Sequence, residues 1–200
     1  MKIASSETLR KWLAAAVFLA AVAAADQGAT SPQSAAQFVN QFGNRAIETL
    51  RAPGLTDANR EALVRDVLRR GLDLAFIGRF VLGKYWARAT PAQQADYLAL
   101  FEGYVVKTYA SWFARNTGAG LTVVGARQVN DKDVIVSTRI ERRNKPPILA
   151  EWRVRAIANQ DRIIDIVSNG ISLAGNQRLE FAAVIKRNGI DGLIAFLRKR

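Results

Sequence analysis

Leu149-Ala150-Glu151-Trp152-Arg153-Val154-Arg155-Ala156-Ile157 alternates apolar and charged side chains through its centre. Ala150, Trp152, Val154 and Ala156 fall on one side, Glu151, Arg153 and Arg155 on the other. A period of two is the geometry of a strand with one buried face. Leu121 to Val129, Val134 to Arg142 and Arg162 to Ser168 read as three companion strands. The links Asn130-Asp131-Lys132-Asp133, Asn144-Lys145-Pro146-Pro147 and Asn159-Gln160-Asp161 are short and turn-like, which predicts an antiparallel meander.

Upstream the period changes to that of a helix. From Gln33 to Leu50, Ala35, Phe38, Val39, Phe42, Ala46, Ile47 and Leu50 share one face, and Pro53-Gly54 breaks the run. Thr56 can cap a second helix carrying Leu63, Val67 and Leu68. A third run, Leu72 to Leu82, brings Phe76, Ile77 and Phe80 together and stops at Gly83. Thr90-Pro91 is a start signal for a long helix to about Asn116. Helical spacing returns after Gly175, breaks at Gly189, and ends with Leu193, Ile194 and Leu197. The expectation is an α+β domain, a helical layer packed on a curved four-stranded antiparallel sheet, with C-terminal helices.

Half of the 200 residues are apolar and 23% are charged, which suits one domain with a real core. The chain has no cysteine and no histidine. That excludes a disulfide, a thiolate nucleophile, a Ser-His-Asp triad, a His-based zinc site and a His general base. Catalysis would have to rest on carboxylates, Lys, Tyr or a bound cofactor, so the inventory favours a binding protein. No catalytic residue, metal ligand or cofactor is assigned.

Lys2, Arg10 and Lys11 precede an unbroken apolar stretch from Trp12 to Ala25, with small residues at Ala23 and Ala25. This is the layout of a secretory signal peptide, residues 1–25, followed by a flexible leader, 26–34, and a single domain, 35–200. The apolar run is shorter than the roughly 20 residues that span a bilayer. Cleavage removes Lys2, Arg10, Lys11 and Glu7, and lowers the formal charge from +12 by two, to +10. An exported basic chain points to anionic head groups or an acidic protein rather than nucleic acid.

The sheet therefore has an apolar inner face toward an aromatic-rich helical layer. A filled core and a hollow one leave the same periodicity, and a hollow one would accept a greasy ligand. The outer face carries Arg139, Arg143, Arg153 and Arg155, either as a solvated surface or as a docking site for a partner or membrane. Asp165 is a lone charge in an apolar strand, read as solvent-facing or as an Arg-paired structural carboxylate. As an enzyme, the chain would have Asp165 or Tyr109 as its candidate groups.

Two segments carry a resemblance. One is Asp73-Leu74-Ala75-Phe76-Ile77-Gly78-Arg79-Phe80-Val81-Leu82-Gly83-Lys84-Tyr85-Trp86, followed by Thr90-Pro91-Ala92-Gln93-Gln94 and Phe101. The other is Trp152-Arg153-Val154, then Ile164-Asp165-Ile166, Gly170-Ile171-Ser172-Leu173, Arg178 and Phe181. In order and spacing they resemble the MlaC, or toluene-tolerance, family of ABC-transporter auxiliary proteins. One departure is Asn159-Gln160-Asp161-Arg162, where the family pattern has a Gly and a Trp.

The resemblance implies a monomeric periplasmic phospholipid carrier that helps maintain outer-membrane lipid asymmetry. It would exchange lipid with an outer-membrane lipoprotein-type complex and an inner-membrane ABC transporter complex, with transient membrane contact. Some members are associated with hopanoid biosynthesis, so a hopanoid or another terpenoid is the alternative cargo, and a non-catalytic adaptor docking through its basic face the alternative role. The residues expected to hold acyl chains are Phe76, Phe80, Trp86, Phe101, Tyr104, Val105, Tyr109, Val134, Val136, Trp152, Val154, Ile164 and Ile166. A Val154→Trp substitution is expected to block cargo without unfolding the domain.

Overall fold

The computed structural model describes residues 29–51, 54, 56–116, 120–142 and 144–200. The predicted signal peptide lies outside the described residues, as do residues 26–28 of the leader and Arg143. The side chain of Tyr109 also lies outside the described residues.

Helices α1 (Pro32–Arg51), α2 (Asp57–Gly71), α3 (Leu74–Leu82) and α4 (Pro91–Asn116) precede the sheet, with a 3-10 turn at Gly83–Arg88. Strands β1 (Gly120–Gln128), β2 (Asp133–Arg142), β3 (Lys145–Ile157), β4 (Gln160–Ser168) and β5 (Ile171–Ser172) follow, then helix α5 (Leu173–Arg198). The leader is shorter than expected. Pro32, Gln33 and Ser34 are already helical, and the Ser34 N–H donates to the Ser31 hydroxyl at 3.1 Å. A capping Ser followed by Pro at the first position starts a helix efficiently. Thr90 caps α4 reciprocally: its hydroxyl accepts from the Gln93 N–H at 3.2 Å, and its own N–H donates to the Gln93 side chain at 3.0 Å. Gly189, with φ 71°, breaks α5 where the sequence places the break.

The sheet is a meander in the order β1-β2-β3-β4-β5, every pair antiparallel. The four expected strands are present, and a fifth corrects the count. Asn169 and Gly170, with φ of 52° and 77°, form a two-residue loop that returns β4 onto β5. Positive φ at both loop positions is what a tight hairpin with right-twisted strands requires, and Asn-Gly is its strongest sequence signal. Strand β3 also begins earlier than expected, through Pro146 and Pro147. There it has only β2 beside it, since pairing with β4 starts at Ala150, and an edge position tolerates Pro.

Asp165 lies at the junction of β4 and α5. Its carboxylate accepts from the Ile166 N–H at 2.8 Å, the Ala174 N–H at 3.1 Å and the Ser172 hydroxyl at 2.6 Å. The Ser172 hydroxyl in turn caps α5 by accepting from the Gly175 N–H at 2.8 Å. Asp165 is thus a structural carboxylate, but its partners are a helix N-terminus and a serine, not an arginine.

Two separate apolar cores result. One joins α2, α3, α4 and α5 through Leu68, Ile77, Val81, Tyr97, Phe101, Phe181 and Leu193. The other joins α1 to the sheet through Ala35, Val39, Ile47, Leu121, Val134, Val136, Val154 and Ile163. Tyr97 is fully buried and donates its hydroxyl to the Gly78 carbonyl at 3.0 Å, and burial pushes its phenol far above the usual range. Leu72 packs on both cores and bridges to Ile163 of β4, and the Asp73 N–H donates to the Ile163 carbonyl at 3.1 Å.

On the outer face, Asp133 is 0% exposed and is held by Arg153 and Arg155, each with contacts as short as 2.6 Å, and by Asn130 at 3.0 Å. Burial alone would raise its pKa. The hydrogen bonds from Arg155, Asn130 and Arg153, with the Arg153 charge, outweigh that and hold the carboxyl well below the usual carboxylate range. A depressed folded pKa stabilises the protein above the unfolded value near 4, and the contribution disappears as pH falls toward the folded value. Asp133→Asn is expected to cost about 2 kcal/mol at pH 7 and to flatten the loss of stability below about pH 4. Urea titrations at a series of pH values check both.

Candidate functional site

A cavity of about 290 Å³ occupies the seam between the two cores. Leu68 of α2, Leu74, Ile77 and Val81 of α3, and Phe101, Tyr104 and Val105 of α4 form its helical wall. Ile140 of β2, Ile148, Ala150 and Trp152 of β3, and Ile163 and Ile166 of β4 form its sheet wall. Phe42 of α1 closes one side, and Leu173, Ala174 and Gln177 of α5 another. The volume lies at the lower edge of the range for small-molecule sites.

The polar groups of the lining are few, and those with described bonds are engaged with protein. Asp165 is held as above, and the Tyr104 hydroxyl is 3.1 Å from the Gln177 side-chain oxygen. Trp152 is fixed at the seam: its indole N–H donates to the Thr138 hydroxyl at 2.7 Å, and its ring meets Phe42 edge-on at 6.2 Å between centroids. Among the described residues, no lysine or arginine lines the space. No cluster of three potential metal-ligating side chains occurs among the described residues. The chemistry available is apolar contact.

Unfilled apolar volume has a cost. The wall atoms lack packing partners on the side of the space, and that missing contact is withheld from the stability of the domain. A guest made of hydrocarbon would recover it.

Of the thirteen residues expected to hold acyl chains, the structure places Phe101, Tyr104, Val105, Trp152 and Ile166 on the cavity wall. The Tyr109 side chain lies outside the described residues, and the other seven do not line the cavity. Val134, Val136 and Val154 belong to the core under α1. Ile164 is buried but off the wall, and Ile163 stands there instead. The reason is a β-bulge: Arg153 pairs with Asp165 and Val154 with Ile163, so Ile164 is the extra residue and the alternation changes phase. Phe76 and Phe80 on α3 do not line the cavity; Phe76 is covered by Arg155, 5.0 Å from its ring centre, and Phe80 is 41% exposed. Trp86 packs at the margin of the helical core beneath Arg79. Sequence reasoning missed Ile77 and Val81 as wall residues, although the spacing of Leu74, Ile77 and Val81 marks a helix face.

Of the expected docking arginines, Arg139 is paired with Glu141 at 2.6 Å, and Arg153 and Arg155 with Asp133.

Comparison with known proteins places this arrangement. The family model described as MlaC protein matches residues 40–199. The intermembrane phospholipid transport system binding protein MlaC of Haemophilus influenzae is 20% identical over 199 residues, covering 96% of this chain and 93% of that protein. Toluene tolerance protein ttg2D of Pseudomonas putida is 24% identical over 108 residues, covering 54% of this chain and 50% of that protein. Among solved structures, the phospholipid-binding protein from Ralstonia solanacearum, in complex with a phospholipid, matches with a TM-score of 0.74 at 26% identity, over 82% of this chain and 95% of that chain. The family match contains every lining residue, from Phe42 to Gln177, and this chain belongs to the MlaC family.

Proposed function

We propose that this protein is a periplasmic carrier of phospholipid, holding acyl chains in the cavity between its two cores. The observation that carries the reading is the apolar void itself, in a chain whose structural relative was solved with a phospholipid. The basic, apolar N-terminal segment 1–25 supports export. No helix among the described residues is long and apolar enough to cross a membrane. In the cell the carrier would exchange lipid with an outer-membrane complex and with an inner-membrane ABC transporter; the Haemophilus relative is named as the binding protein of an intermembrane phospholipid transport system.

The energetics suit a shuttle. Each methylene of an acyl chain withdrawn from water into the cavity gains about 0.8 kcal/mol. A bilayer gives the same chains nearly the same environment, so passage between membrane and cavity is close to balanced. The acyl-binding residues in this reading are Phe101, Tyr104, Val105, Trp152 and Ile166, joined by Leu74, Ile77, Val81, Ala150 and Ile163.

Organic extraction of the purified mature protein followed by mass spectrometry tests the cargo. Phospholipid near one per protein is expected; a terpenoid would redirect the assignment, and absence of any lipid would remove it. Ala150→Phe puts a ring into the void and is expected to cut retained lipid several-fold while the protein stays folded. Val154→Trp, which sequence alone nominates for the same purpose, instead crowds a 0% exposed site beneath α1 and is expected to destabilise by about 3 kcal/mol. Delipidated protein is expected to melt about 10 °C or more below the loaded form, measured by calorimetry.

A further inference from the structure

We infer that the outer surface of α3 and the 3-10 turn, with Arg178 of α5, is the face that docks on anionic membrane, in place of the outer face of the sheet. The inference rests on the carrier reading. Four cations cluster there. Arg178 lies over the Phe80 ring at 5.1 Å, and Arg79 over Trp86 at 5.4 Å. Lys84 and Arg88 lie over Tyr85 at 5.5 and 5.9 Å. Arg178 ties α5 into the cluster: its guanidinium would stand 2.8 Å from a Cβ placed on Gly83, and Gly83 has φ 59°. The loop therefore needs glycine both for its conformation and for the arginine that crosses it.

Charge bookkeeping separates this face from the sheet. None of the four cations is paired with a carboxylate among the described residues, and Leu74 to Ala95 contains no Asp or Glu. On the sheet, by contrast, Arg127 meets Glu151 at 3.7 Å, Arg139 meets Glu141, and Arg153 and Arg155 are committed to Asp133. Attraction to an anionic surface comes from cations that have no internal partner.

The chemistry fits a lipid surface. An exposed aromatic ring beside Lys and Arg is the combination that settles at the head-group level, the ring toward the acyl boundary and the cations on phosphate. Phe80 is already 41% exposed. The neighbouring stripe of the same helix, Leu74, Ile77 and Val81, is cavity wall. Docking by this face would put the bilayer one helix away from the cargo.

The test is co-sedimentation of full mature protein with vesicles of phosphatidylcholine alone or mixed with phosphatidylglycerol. Binding is expected only to the mixed vesicles, and should weaken steeply with salt. Removing two charges in Lys84→Gln with Arg88→Gln is expected to lower the partition coefficient at least tenfold, about fivefold per charge. Lys132→Gln with Lys145→Gln, which removes two exposed charges at the hairpin tips, is expected to change it by about twofold or less. Equal losses in the two double variants, or equal binding to both vesicle types, would overturn the assignment. So would absence of binding to either, which would leave an acidic protein as the occupant. Lipid retained by each variant is measured in parallel: normal retention with lost docking separates this face from the cavity, whereas a wild type that holds no lipid fails the carrier reading instead.

Discussion

The two apolar cores do not merge, and the rest of the molecule follows from that. Strand β3 belongs to the core under α1 and borders the space between the two cores. Its Val154 end is covered by α1, its Ala150 end faces open space, and Trp152 stands where they meet. A free indole could swing into the void and fill it. The hydrogen bond to Thr138 and the edge contact with Phe42 oppose that swing. The buried N–H would lose its acceptor if the ring moved, and an unsatisfied buried donor is costly. The cavity is kept open by polar bonds in its wall, since apolar contact alone would favour collapse.

Helix α3 shows how one short element can serve two surroundings. It is apolar on nearly every side, which normally marks a fully buried helix. Here one stripe lines the cavity, and the aromatics on the other are roofed by guanidinium groups. The flat arginine planes lie against the ring faces, a favourable contact of cation with aromatic ring. Its ends are fixed, by the Asp73 side chain accepting from the Phe76 N–H and by Gly83 with positive φ. Side chains on either surface can therefore vary without moving the helix.

The fold was legible where local chemistry speaks for itself. The alternation through Glu151, Arg153 and Arg155, the Thr90-Pro91 start and the Gly189 break all lie where their residues say. The site was less legible, for three physical reasons. The bulge at Ile164 changes the phase of β4, and nothing in an all-apolar run marks it. On α3 both stripes are apolar, so periodicity could not say whether Phe76 and Phe80 or Ile77 and Val81 face inward. The void depends on how far apart helices and sheet are held, a distance that no single segment encodes. The missed fifth strand is different: Asn169-Gly170 was an available hairpin signal beside an unread pair of residues.

The way α1 is seated carries a consequence for how the chain comes together. Asn44 bonds both ways with the backbone of Leu121, accepting from its N–H and donating to its carbonyl, across a separation of 77 residues. The Val39 and Ile47 stripe is covered mainly by the sheet. Helix α1 must wait for a sheet that follows α2, α3 and α4 in the chain, whereas the meander closes through short loops and can assemble quickly. Until then α1 is a sticky amphipathic segment, and the risk of aggregation falls on the newly emerged chain. Tight turns between the strands shorten that interval, because they let the covering surface form as one local unit.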